Sequence, residues 1–165
     1  VQVEPLIGSP RAVSYRWDSD TDILTARMSS AGAVAGASGS VELEGVDGSW
    51  LILDLAAGRI DGVEVAVWPD VHKRRTLAPP ASPEMATVTV PAAAQVSGVA
   101  SLEVEIPLIA ESDESERVIH FRVGARRDVR TVRIGRDLLL DLDGQSRIAG
   151  LWMLNVPPSP TPRVT

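Results

Sequence analysis

Two sets of residues of matching type carry the chemistry this chain offers: Arg16, Thr25 and Arg27 toward one end, Arg122, Thr131 and Arg133 toward the other. Within each set the residues share the polar parity of their segments, so pairing of those strands places two guanidiniums and a hydroxyl side by side. The planar fork of arginine matches a carboxylate or a phosphate, which makes a pair of anion sites one reading. Glu42, Glu44, Glu103 and Glu105 share that outward parity, and cross-strand Arg–Glu pairing is the more ordinary use of such residues. Asp18-x-Asp20-x-Asp22 begins like a calcium loop, but Ile23 and Ser29 stand where that loop needs Gly and Glu. A hairpin turn in which Asp bonds nearby backbone is the better account. Asp54 and Asp141 end apolar segments at comparable places. They either share a proton as a carboxyl dyad or, as expected here, each accept hydrogen bonds from the turn that follows. His72 and His120 are the only imidazoles. No nucleophile elbow, phosphate loop or His-x-x-x-His spacing accompanies them. No catalytic residue, metal site or cofactor is therefore assigned.

Composition narrows the function further. The net charge of −6 argues against a nucleic-acid partner, because phosphate binding requires a basic face. The one basic run, Lys73-Arg74-Arg75 beside His72, reads as a solvated loop. There is no cysteine, which removes disulfides and thiolate chemistry and is compatible with a reducing compartment. No apolar run approaches the roughly 20 residues of a membrane span, and no signal peptide is visible at the first residue. The expectation is a cytoplasmic protein with no membrane association.

The elements that position these residues are strands. Val13, Tyr15 and Trp17 alternate with Ser14 and Arg16; Val41 and Leu43 alternate with Glu42 and Glu44; Leu102, Val104 and Ile106 alternate with Glu103 and Glu105. This period of two marks strands with one buried face. Leu51–Leu53 and Leu138–Leu140 are apolar on both faces and predict central, covered strands. Asp18–Asp22 and Val46–Ser49 are turns, and Ala31–Gly39 reads as a mobile loop of small residues. Asp70 predicts a short helix over Val71–Leu77, and Ala92–Ser97 a single helical turn.

The chain also repeats itself in collinear blocks. Val1–Ile7 returns as Leu102–Ile109, Tyr15–Trp17 as Phe121–Val123, and Asp22–Met28 as Asp128–Ile134. Leu51–Leu55 returns as Leu138–Leu142, and Arg59–Gly62 as Arg147–Gly150. Boundaries follow: a first β repeat over 1–78, a Pro-rich linker and insertion over 79–98, a second β repeat over 99–157, and a flexible tail over 158–165. The fold expected is all-β and antiparallel, about ten strands in two fused homologous units with pseudo-two-fold symmetry, forming a sandwich or a closed barrel.

The segment Trp-Asp-Ser-Asp-Thr-Asp-Ile-Leu-Thr-Ala-Arg-Met at Trp17–Met28 resembles the Tyr-Asp-x-x-x-Asp-x-Leu-Tyr-x-Arg-Leu opening of the short bacterial domain of unknown function 2283. The second half of that domain, an apolar strand ending in Asp, an acidic Gly turn and Val-x-Gly-Ile-x-Ile-Leu, is similar to Leu138–Leu154 and, with a turn one residue shorter, to Leu51–Val65. The resemblance implies a small antiparallel β unit and no settled activity. Matching positions are Asp18, Asp22, Arg27, Asp54 and Gly62, then Asp128, Arg133, Asp141 and Gly150. The second copy departs at Gly124, where the first aspartate is missing, and has no room before Asp137 for a counterpart of Val41–Gly45.

Two functions are carried forward. The preferred one is a non-catalytic binding or interaction module acting through a protein partner. A variant of it, an acidic antitoxin-like partner of a basic toxin, rests on charge and on the family's character alone. The alternative is a β-barrel or cleft lined by Trp17, Trp50 and Trp152 that binds an apolar small molecule, with cyclisation or isomerisation by shape, needing few titratable groups, as its candidate activity. The expected state is a monomer, as a covalent pseudo-dimer, or a homodimer.

Overall fold

A computed structural model describes residues 1–29, 38–91 and 106–160. The described residues are all-β, with no helix, and their 13 strands join in one curled, mixed sheet forming a half-barrel. The first part of the chain supplies β1 (Gln2–Pro5), β2 (Val13–Asp18), β3 (Ile23–Met28), β4 (Ser38–Glu44), β5 (Trp50–Ala56), β6 (Arg59–Val67) and β7 (Val71–Lys73). The remainder supplies β8 (Glu84–Thr89), β9 (Leu108–Ser112), β10 (Ile119–Val123), β11 (Val129–Gly135), β12 (Leu138–Asp143) and β13 (Ile148–Met153). The path runs β2-β3-β6-β8-β11-β12-β13-β10-β9-β7, with β5 joined to β6, β4 to β5 and β1 to β8.

Most pairs are antiparallel because short turns connect their strands. The β2–β3 hairpin turns at Asp18, whose Oδ1 accepts from the backbone N–H of Asp20 at 2.9 Å and of Thr21 at 3.3 Å. This aspartate is a turn residue, and its bonds to the Asp20 and Thr21 amides hold its carboxyl below the ordinary value. Two pairs are parallel, β7 with β9 and β8 with β11. The expectation of about ten purely antiparallel strands is corrected accordingly: β1 and β7, at four and three residues, are too short to show a period of two, and β8 follows the Pro-rich stretch read as a linker.

The helix expected over Val71–Leu77 is also corrected. Val71–Lys73 is extended and lies along β9, with Val71 opposite Ala110 and His72 opposite Glu111. Tertiary pairing overrides the weak capping signal of Asp70. The basic run that follows is ion-paired rather than free: Lys73 with Glu116 at 3.4 Å, Arg74 with Glu111 at 3.0 Å and Arg75 with Glu114 at 3.0 Å. In the 79–98 stretch, Glu84–Thr89 forms β8, which pairs with β1, β6 and β11 and so stitches the two parts of the sheet together. Three expectations lie outside the described residues: the loop over Ala31–Gly39, apart from Ser38 and Gly39, which begin β4, the turn at Ala92–Ser97, and the alternation over 102–105. The last residues of the tail, 161–165, do so as well.

Buried side chains from both parts of the chain form one cluster, including Leu24, Leu53, Val63 and Val65 with Phe121, Leu140, Leu151 and Met153. Strand β12 is buried along its whole length, as its two apolar faces predict. Strand β5 is less covered, with Ile52 only half-buried. Leu138, Leu140 and Leu142 enter the core, so Leu139, Asp141 and Asp143 face the other side of the sheet. That outer face carries the site.

Candidate functional site

Asp141 sits in the middle of β12 with its side chain 6% exposed, and three neighbouring strands each aim a donor at it. Thr131 on β11 is its register partner and donates its hydroxyl to Oδ1 at 2.6 Å. Trp152 on β13 donates its indole N–H to the same oxygen at 3.2 Å. His120 on β10 meets Oδ2 through Nε2 at 2.8 Å. Burial alone raises the carboxyl's pKa, but these hydrogen bonds and the field of His120 outweigh it and leave Asp141 below the ordinary value. An ionised carboxylate only accepts, which assigns the hydrogen of His120 to Nε2 and leaves Nδ1 as the nitrogen with a free lone pair in the neutral ring. Trp152 fixes the ring plane as well, stacking on the imidazole at 4.1 Å between centroids and 23° between planes.

The close approach depends on a glycine. Gly150 on β13 lies opposite both Asp141 and Arg122. A Cβ there would stand 2.7 Å from Asp141 Oδ2, 2.7 Å from the Phe121 carbonyl oxygen and 3.1 Å from His120 Nε2. Any side chain would push the imidazole off the carboxylate. A bulge between Asp141 and Leu142 sets this register.

Beside the dyad lies a cavity of about 250 Å³, bounded by β9, β10, β12, β13 and the turn after β10. Ile109, Val129, Ala125 and Ala149 give it apolar walls; His120, Arg122 and Arg126 give it polar ones. The turn is held by Arg127, whose guanidinium donates to the carbonyls of Val123 and Ala125 at 2.9 Å each and to Asp143 at 3.0 Å. The acid that faces the cavity from β9, Glu111, is already engaged by Arg74. Arg122 and Arg126 have no ion pair among the described residues. The Nε of Arg122 is buried without a hydrogen-bond partner, a state that costs stability unless something accepts from it.

The expected site residues divide between two places. Arg16, Thr25 and Arg27 do come together: with Ser14, Asp18, Ile23 and Glu64 they line an open depression of about 500 Å³ on the outer face of β2, β3 and β6. Cross-strand pairing accounts for this, since Thr25 lies opposite both Arg16 and Glu64. In the other set Arg122 faces the cavity, Thr131 is bound to Asp141, and Arg133 turns away to the carbonyl of Arg136. The tryptophans do not converge on one cleft. Trp17 stacks on Trp68 at 5.6 Å and donates to the Pro157 carbonyl, Trp50 is exposed at the start of β5, and Trp152 lies under His120.

Asp141 also corrects an expectation. Its donors come from three other strands, not from the turn that follows it. The turn's acceptor is Asp143, which takes the backbone N–H groups of Arg147 and Gln145 at 2.9 Å each. Asp54 is half-buried, and burial raises its pKa against the opposing effect of Arg27. Arg126, and His120, to which the sequence assigns no role, are cavity residues missing from the expected set. The usable signal was parity: His120 and Arg122 alternate with Ile119 and Phe121, which places both on one outer face.

Among the described residues no group of three or more His, Asp or Glu side chains converges on a metal position, and no helix is long and apolar enough to cross a membrane. No family model matches the chain, and no curated protein matches it.

Proposed function

We propose that this protein binds a small carboxylate-bearing molecule in the cavity between β9, β10, β12 and β13. One observation carries the reading: two guanidiniums with no ion pair among the described residues, one with a buried unpartnered Nε, line a partly apolar space beside an imidazole held by a buried carboxylate. An arginine fork recognises a carboxylate in a bidentate manner, and the aliphatic walls suit a short alkyl chain. Isothermal titration with 2-oxobutyrate and with inorganic phosphate tests it. The wild type should bind the carboxylate, and Arg122→Gln should bind it about 10- to 100-fold more weakly, as loss of a charge-assisted hydrogen bond implies. No heat with either anion would overturn the reading.

The strand ladders support the duplication expected from the sequence, in a shifted form. The order β4-β5-β6-β3-β2 runs parallel in kind to β11-β12-β13-β10-β9. Asp54 lies opposite Gly62 and Gly62 opposite Arg27, as Asp141 lies opposite Gly150 and Gly150 opposite Arg122. Both β5–β6 and β12–β13 bulge immediately after that Asp. This correspondence keeps the Leu51–Leu55 and Arg59–Gly62 blocks and moves the earlier ones by one strand, so that β11 stands in for β4. The kinship to domain of unknown function 2283 is retained as part of this proposal.

A protein partner is the second reading. Trp50 and Val67 lie opposite each other across β5 and β6, 38% and 46% exposed, an apolar pair of the kind that anchors interfaces. Trp50→Ala should abolish such an interaction and leave 2-oxobutyrate binding unchanged; pull-down and titration of the same variant separate the two.

A further inference from the structure

We propose that the cavity is catalytic: His120 is a general base that removes a proton from the carbon next to the carbonyl of a small 2-oxo acid. The inference rests on the anion-site reading above and adds a reaction to it. Asp141 is engaged by three donors and holds the Nε2–H of the imidazole, so the neutral ring keeps Nδ1 as its basic atom. The ring lines the cavity and is fixed by its stack on Trp152. A base positioned in this way, oriented by a buried acid, is what acid–base catalysis needs.

The choice of substrate follows from the charges. A 2-oxo acid presents two oxygen-bearing groups, the carboxylate and the ketone, and the cavity offers two guanidiniums, Arg122 and Arg126, that have no ion pair among the described residues. One pairs with the carboxylate. The other faces the ketone oxygen, where negative charge develops as the proton leaves, and preorganised cations at such a position contribute much of an enzyme's rate. Among the described residues no hydroxyl or thiol lines the cavity, and the Thr131 hydroxyl is bound to Asp141. Direct proton abstraction requires no such nucleophile.

In the step itself, Nδ1 takes the proton from the carbon. The C–H electron pair becomes the carbon–carbon π bond of the enolate, and the carbonyl π pair moves onto oxygen. Return of a proton from the imidazolium to the same carbon restores the keto acid, so no oxidant, reductant or cofactor is consumed. In heavy water the proton on Nδ1 exchanges with solvent before reprotonation, so a deuteron returns to the carbon and the net change is replacement of hydrogen by deuterium.

The test follows the C3 protons of 2-oxobutyrate by proton NMR in heavy water, with binding measured in parallel by titration calorimetry. Wild type should accelerate exchange by about 100-fold or more over buffer, in line with the usual contribution of a general base. His120→Gln should keep binding and lose at least about tenfold of that rate. Arg126→Gln, a change at an exposed turn residue that leaves the core untouched, should weaken binding and raise the concentration needed for half-maximal exchange. Binding with no acceleration overturns the catalytic inference and leaves the anion site standing. Unchanged exchange in His120→Gln also overturns it. Neither binding nor acceleration overturns both.

Discussion

At the scale of single residues, Asp141 organises the site. Removing it in Asp141→Ala leaves the Thr131 hydroxyl, the Trp152 indole N–H and the His120 ring nitrogen without their acceptor in a buried place. The expected loss is about 3 kcal/mol, measured by urea denaturation. The pH dependence has a definite sign. The folded-state pKa of Asp141 lies below its ordinary value, as does that of Asp143, held down first by the Arg147 amide and then by Gln145, Arg127 and Arg147. Such groups stabilise the fold above their unfolded values, near 4, and that stability is lost as pH falls toward their folded values. Denaturation free energy should therefore fall steeply below about pH 4, and Asp143→Asn should flatten that limb. The gathering of Arg16, Thr25 and Arg27 was legible because parity alone decides which face a strand residue takes. The role of His120 was not, because its partner lies 21 residues away in sequence on a strand that touches β10 only through β13.

At the scale of elements, the site depends on a bulge and on a glycine that permits close approach. Gly150→Ala sets a methyl group against Asp141 Oδ2 and the Phe121 carbonyl. It should cost about 1–3 kcal/mol, as overpacking does, and should also lower 2-oxobutyrate affinity. Gly62→Ala meets the Ala26 carbonyl oxygen at 2.8 Å in the other part of the sheet. It should destabilise comparably while a folded fraction binds normally; equal loss of binding in both would separate the cavity from β13. The central place of β12 could be read from Leu138–Leu140, since a strand covered on both sides is apolar on both faces, although the same pattern at Leu51–Leu53 stands in the less covered β5. The short strands β1, β7 and β8 could not. The three or four residues of β7 and β1 carry too little periodicity, and the pairing of all three strands is set by partners far along the chain.

At the scale of the molecule, the shared core makes the two parts of the sheet one folding unit. Buried residues of β3, β5 and β6 pack with those of β10, β12 and β13 in a single cluster, and β8 ties the parts together. Calorimetry should show one transition with matching calorimetric and van't Hoff enthalpies. A chain ending near Ala78 should dimerise or aggregate, because it exposes that core and the edge that β8 covers. The all-β class was legible from alternation everywhere. The mixed, curled sheet was not, since parallel pairing arises from long connections whose course no local pattern encodes.

Titrating ¹⁵N-labelled protein with 2-oxobutyrate tests the cavity at Arg122, Arg126 and His120 most directly. Chemical-shift changes centred on the arginine Nε–H signals of Arg122 and Arg126, the His120 ring and the backbone of the turn between β10 and β11 are the predicted result. Changes centred instead on Arg16 and Arg27, or no saturable change at all, would contradict it.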